Sequence, residues 1–208
     1  MKRIFFIAAA LVISLSMMAQ ENRQNEYRTV FGNRNHASNG GYGGFSMGFG
    51  QIDGKDAFFA GIKGGWVIDH SLTIGMAGYG FMNNFDLNMS PGTVSKHLTG
   101  GYGGLLIEPV IAPFSPIHLT VPVIIGAGGI AQVDQYYYED YYYEPVVNDA
   151  SAFFVIQPGL ELELNIVRFM RFAAGASYRF TSDINISGVS DKTMNGFMGH
   201  FTLKFGKF

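Results

Sequence analysis

Three segments in the last third of the chain change polarity residue by residue. Within residues 153–164 (FFVIQPGLELEL), Phe154, Ile156, Leu160, Leu162 and Leu164 share one parity, while Gln157, Glu161 and Glu163 hold the other. Residues 171–181 set Phe172, Ala174, Ala176, Tyr178 and Phe180 against Arg171, Ser177, Arg179 and Thr181. Near the end, Phe197, Phe201, Leu203 and Phe205 alternate with Met198, His200, Thr202 and Lys204. Successive side chains leave a pleated strand on opposite sides, so a period of two predicts strands with one apolar and one polar face. The apolar members are bulky enough to face lipid, and the charges must then face elsewhere.

An export signal supplies the context. Lys2 and Arg3 give a positive start, Ile4 to Leu15 an apolar core, and Met17, Met18 and Ala19 lead to Gln20. The apolar run is shorter than the roughly 20 residues that span a bilayer as a helix. Cleavage after Ala19 is therefore expected, giving a signal peptide over 1–19. No Cys follows the site, which argues against a lipid anchor.

Composition points the same way. Of the 208 residues, 48 % are hydrophobic and only 14 % charged, against roughly 25 % charge in soluble domains. The absence of Cys excludes disulfides and thiolate metal sites. Taking Lys2 and Arg3 from the 14 basic residues leaves 12 against 16 acidic ones, which argues against a nucleic-acid partner. The longest apolar stretch, Leu105 to Ala131, carries Glu108, His118 and Pro109, Pro113, Pro116 and Pro122, and prolines at that density break helices. A chain that enters a membrane without a spanning helix must satisfy its backbone in a closed barrel.

After a polar tail over 20–40, eight strands are expected at about 41–52, 57–68, 71–82, 98–111, 116–132, 151–164, 168–182 and 194–208. Short gaps fall near Asp69 and His70, Ala112 to Ser115, and Asn165 to Val167. Longer ones fall at Asn83 to His97, Val133 to Ala150, and Asp183 to Thr193. Alternation of short turns with long loops is the pattern of an antiparallel up-and-down transmembrane barrel, and an even count puts both termini at the short-turn end. The gap Asp53 to Asp56 is short and fits that alternation less well. Pro122 and Pro158 also count against the pattern, because each removes a ladder donor inside an expected strand.

These residues resemble the small outer-membrane β-barrels of the OmpA and OmpX type, in the form common in Bacteroidota envelopes. The resemblance covers about 41–208 and rests on the alternation, the Ala19–Gln20 junction and the terminal FTLKFGKF. It implies an all-β, eight-stranded antiparallel barrel in the bacterial outer membrane, surrounded by outer-membrane lipid and inserted by machinery that reads an aromatic C-terminal strand. A monomer is expected, and no catalytic residue, metal or cofactor is read from the residues. Phe208 supplies the terminal aromatic, although Phe201, Leu203 and Phe205 have the opposite parity.

With the larger apolar set facing lipid, the interior collects Lys63, Glu108, Glu161, Glu163, Arg171, Arg179, His200 and Lys204. Glu161 and Glu163 neighbour the strand of Arg171 and Arg179, so cross-strand pairs are expected. The charges form either a packed polar core or the lining of a narrow pore, and eight strands leave an interior only just wide enough for side chains. Acid–base chemistry at Glu161 and Glu163 lacks a converging nucleophile; Ser177 and His200 are the remaining catalytic candidates. His36, His70, His97, His118 and His200 show no metal-ligand spacing.

Trp66, Tyr79, Phe81, Tyr178 and Phe180 fall where interfacial aromatic girdles are expected. Gly126, Gly128 and Ala131 match a nucleotide-binding glycine pattern, but no helix follows. The segment Tyr136, Tyr137, Tyr138, Glu139, Asp140, Tyr141, Tyr142, Tyr143 and Glu144 is the most distinctive in composition. It reads either as an external loop recognising an extracellular protein or glycan, tyrosine giving large contact area at low entropic cost, or as strand ends forming an outer girdle. The function expected is structural or surface interaction without catalysis, with a narrow pore or carrier for small solutes as the alternative.

Overall fold

A computed structural model describes residues 39–83, 94–138, 141–142 and 146–208, with backbone alone at 94–95, 135–138, 141–142 and 146. Ten strands appear: β1 (Asn39–Ile52), β2 (Lys55–Ile68), β3 (Leu72–Asn83), β4 (Val94–Ile111), β5 (Ile117–Thr120), β6 (Val123–Tyr138), β7 (Tyr141–Tyr142), β8 (Val146–Val167), β9 (Met170–Thr181) and β10 (Gly196–Lys207). All pairings are antiparallel. The sheet closes on itself, because β1 pairs with β10 as well as β2, and β6 joins β4 to β8. The result is an eight-position ring in which β5 and β6 together make one stave.

Pro122 explains why that stave is interrupted. Lacking an N–H, it opens the ladder between Thr120 and Val123. The register nevertheless continues across the break: β4 meets it through Val110↔Thr120 on one side and Ile107↔Val123 on the other. Pro158 sits in β8 opposite Val123, and the bond across this weak point runs from the Gly159 N–H to the Pro122 carbonyl at 2.8 Å. Both prolines are thus accommodated by local loss of ladder bonds without a slip. Slips occur instead at Gln132/Val133 and Asn165/Val167, where the register shifts.

One end of the barrel carries short turns and both strand termini; the other carries the longer connections. The Asp53–Gly54 turn joins β1 to β2 at the loop end, with both residues at positive φ (56° and 69°), the two-residue hairpin geometry that Asp-Gly favours. This explains the short first gap. At the turn end Asp69 and His70 adopt the same handedness. One expected loop is largely strand: β6 runs to Tyr138 and β8 begins at Val146, so the region read as the gap Val133 to Ala150 contributes mainly to the barrel wall. Backbone pairing of Tyr137 with Tyr142 and Tyr138 with Tyr141 extends that ladder. Glu139, Asp140, Tyr143 and Glu144 of the tyrosine-rich segment lie outside the described residues, as do the expected signal peptide and residues 20–38 of the tail.

The two faces of the ring separate as the alternation requires. Phe45, Met47, Ile62, Met76, Leu105, Phe154, Leu160, Leu162, Phe197 and Phe201 are all exposed on the outer surface. Trp66 and Phe180 join them. Tyr79 and Phe81 do not: both are buried inside the ring, correcting their assignment to a lipid-facing girdle. On β3 the inward positions are Thr73, Ala77, Tyr79, Phe81 and Asn83, so polarity does not mark which face is which. Phe208 also turns away from the outer surface, stacking on Tyr42 at 5.8 Å beneath the Arg171 guanidinium, 3.9 Å from its ring. Its mismatched parity is therefore met by a chain end that folds across the barrel mouth.

Candidate functional site

The lumen has two chemically distinct halves. Toward the turn end, Lys63 reaches in from β2, Glu108 from β4, Glu161 and Glu163 from β8, Arg171 from β9, and His200 and Lys204 from β10. Period two puts each on an inner face, and the narrow ring brings opposite walls within reach of long side chains. Lys63 Nζ donates to both oxygens of Glu161 at 2.6 and 2.8 Å and to Glu108 at 3.2 Å. Lys204 Nζ donates to Glu108 at 2.7 Å and Glu163 at 2.6 Å. His200 Nε2 lies 2.8 Å from Glu161, and Arg171 donates to Glu163 at 2.9 Å.

Three carboxylates are thus met by three permanent cations, Lys63, Lys204 and Arg171. Neutral donors complete the shell: the Tyr42 hydroxyl donates to Glu108 at 3.1 Å and the Thr120 hydroxyl to Glu161 at 3.3 Å. His118 contacts Glu163 through Nε2 and the Ser115 carbonyl through Nδ1, both at 3.2 Å. Buried charges persist only when paired and hydrogen-bonded in this way. Tyr42 and Thr120 escape notice in the sequence, since neither carries a charge; their inward parity was the available signal.

Of the pairing expected between Glu161 and Glu163 on one strand and Arg171 and Arg179 on the next, a single ion pair is seen among the described residues. Arg171 meets Glu163, but Arg179 has no carboxylate within ion-pair distance among the described residues. Glu161 is instead held from across the lumen by Lys63 and His200. Arg179 belongs to the loop half, whose packing is mainly aromatic and aliphatic although it also buries Asn83, Asp134 and Thr181. Its rings form a chain in which Phe59 lies 5.9 Å from Phe81, Tyr79 lies 5.6 Å from Tyr102, and Tyr102 lies 6.4 Å from Phe153. A Cβ at Gly100 would stand 2.8 Å from the Phe81 ring, and one at Gly128 2.8 Å from Phe153. The glycines facing the lumen here make room for the rings.

Residues 182–195 close this half from above. Ile184, Ile186 and Met194 are buried in the same cluster as Phe59, Phe81 and Tyr102. The segment is therefore folded into the mouth, which differs from the free external loop expected over Asp183 to Thr193. Thr193 and Asp53 tie it to the first turn, and the Asn195 side chain accepts from Thr181 N–H and Oγ at 2.7 and 2.9 Å. Between the halves lies a cavity of about 10 Å³ bordered by Lys63, Tyr79, Gln157, Glu161, Ser177 and His200, room for about one water. Ser177 accepts from Gln157 at 2.8 Å while His200 is engaged with Glu161, so no Ser–His pair forms. Among the described residues no cluster of His, Asp and Glu is arranged to hold a metal.

A closed ring with a continuous apolar skin and ionised groups inside is a transmembrane β-barrel, since such a skin is stable only against acyl chains. No protein-family model matches the chain, and no curated protein matches it. Among solved structures it is similar to Neisserial surface protein A, at 12 % identity and TM-score 0.51, over 83 % of this chain and 99 % of that one. It is also similar to the attachment invasion locus protein Ail of Yersinia pestis, at 12 % identity and TM-score 0.41, over 81 % and 95 %. The fold is the eight-stranded outer-membrane barrel.

Proposed function

We propose that this chain is a sealed outer-membrane barrel that anchors and presents an interaction surface at its loop end, without catalysis or solute flow. The observation that carries this reading is the filled lumen: a neutralised charge network below, packed rings and an infolded segment above. The export signal over 1–19 and the both-ends-inward topology support a periplasmic turn end, with the tyrosine-rich segment 136–144 outside. That segment is the proposed contact for an extracellular protein or glycan. The Ala19–Gln20 junction supports a Bacteroidota-type envelope protein, a monomer delivered by the barrel-insertion machinery through its C-terminal strand.

The test is electrical. Purified protein, shown to be inserted by its altered gel migration before and after boiling, is added to planar lipid bilayers. Silent membranes are expected. Steady single-channel steps would favour the narrow pore instead.

A further inference from the structure

The rim of the turn end carries unmatched positive charge on one side. The last rungs between β9 and β10 are Met170 opposite Phe205 and the Gly206 N–H on the Phe169 carbonyl at 2.9 Å. Arg168 and Lys207 follow one residue further on, and both are exposed. Neither side chain has an ion pair among the described residues. The exposed acids among those residues lie elsewhere: Asp53, Asp56, Asp183 and Asp191 at the loop end, and Asp69 in the β2–β3 turn, on the opposite side of the ring. Loop-end cations differ in this respect, since Lys192 pairs with Asp183 and Lys55 shares its hairpin with Asp53 and Asp56.

The wall beside Arg168 and Lys207 is apolar. Its outward positions start at the rim with Met170 and Phe205 and continue through Phe172, Leu203 and Phe201, alternating with buried Arg171, Thr202 and Lys204. Phe172 and Phe201 stack across the two strands at 5.9 Å. Long cationic side chains at the edge of a lipid-facing surface extend their heads to the headgroup level. A zwitterionic headgroup brings its own ammonium to balance its phosphate, whereas an anionic headgroup brings an unbalanced charge that two neighbouring cations can take up. The planar Arg guanidinium adds paired hydrogen bonds to phosphate oxygens, and Lys adds a point charge.

We propose that Arg168 and Lys207 form a binding site for the phosphate of an anionic phospholipid in the turn-end leaflet, with its acyl chains along Met170, Phe205 and Phe172. The inference rests on the membrane-barrel reading and narrows a general lipid contact to one lipid class at one edge of the ring. Asp69 disfavours the same headgroup at the opposite turn, so the site is one-sided.

The test uses the full protein refolded into nanodiscs, with insertion checked by heat-dependent gel migration; failure at that check overturns the barrel reading itself. The nanodiscs hold dioleoylphosphatidylglycerol and dioleoylphosphatidylcholine in equal amounts, and native mass spectrometry identifies the lipid retained on the released protein. Phosphatidylglycerol is expected to be retained in preference, the preference falling about fivefold in Arg168→Gln and about fivefold in Lys207→Gln, as for one basic residue at an anionic membrane surface. Lys55→Gln, at the loop end, is expected to leave it unchanged. On unaltered protein, acetylation of Lys207, read peptide by peptide, is expected to be slower in phosphatidylglycerol than in phosphatidylcholine nanodiscs, while Lys55 keeps its rate. If a variant fails to insert, this second readout decides alone. Equal retention of the two lipids, a preference unchanged in an inserted Arg168→Gln or Lys207→Gln, an equal loss in Lys55→Gln, or Lys207 acetylation indifferent to the headgroup would each overturn the proposal.

Discussion

At the turn end of the lumen, long charged side chains from opposite walls meet in a neutral cluster; at the loop end, aromatic rings from neighbouring staves stack against an infolded segment. Both halves fill the same narrow cylinder, yet they respond differently to damage. In the charged half each group depends on a partner, so removing one leaves another ionised and unsolvated. In the apolar half the contacts are many and individually weak, and a lost atom costs roughly its own burial. Substitutions are therefore expected to be felt more sharply at the turn end than at the loop end.

The largest effect is expected from Lys204→Met. It strips Glu108 and Glu163 of their shortest contacts, and a buried pair broken on one side costs about 3–5 kcal/mol. Urea unfolding in lipid vesicles measures it. An unchanged midpoint would mean that water reaches the cluster and the lower lumen is not sealed.

Next in size is a charge on the other face of the same wall. Leu162 lies between Glu161 and Glu163 but points outward, 54 % exposed. Leu162→Arg is expected to cost about 2–4 kcal/mol near the bilayer midplane by the same unfolding assay. Indifference at this position would place the apolar skin against something other than acyl chains.

The smallest effect belongs to the loop half. Tyr102→Phe keeps the ring but leaves the Gln157 oxygen without its 2.7 Å donor, a loss of about 1–3 kcal/mol for an unsatisfied buried acceptor. A cost equal to that of Lys204→Met would erase the contrast between the two halves.

Legibility in the sequence followed the same division. The staves that build the charged half alternate between Leu or Phe and Glu, Arg or Lys, so parity alone points Lys63, Glu108, Glu161, Glu163, Arg171, His200 and Lys204 inward, where they lie buried, although buried His118 and Asp134 were not among the residues collected for the interior. The loop half offers no such contrast. On β3, Met76 and Met82 face out while Tyr79 and Phe81 face in, and nothing in their polarity tells the sets apart. The physical clue lay on the adjoining stave, in Gly100 and Gly128, the ladder partners of Phe81 and Phe153, which leave room for the ring beside them. Residues 182–195 were harder still, because Ile184, Ile186 and Met194 are sparse among polar neighbours and follow no period. Arg179 lies buried on the inward parity, but its want of a carboxylate among the described residues depends on stagger between staves, which alternation does not encode.

Trp66, the only tryptophan, tests the central claim without any substitution. It projects from the outer surface of β2, 56 % exposed. In vesicles of brominated phospholipid its fluorescence is expected to be strongly quenched, while iodide in the aqueous phase leaves it nearly unchanged. Efficient quenching by iodide with none from the brominated chains would contradict a barrel whose apolar skin meets the membrane.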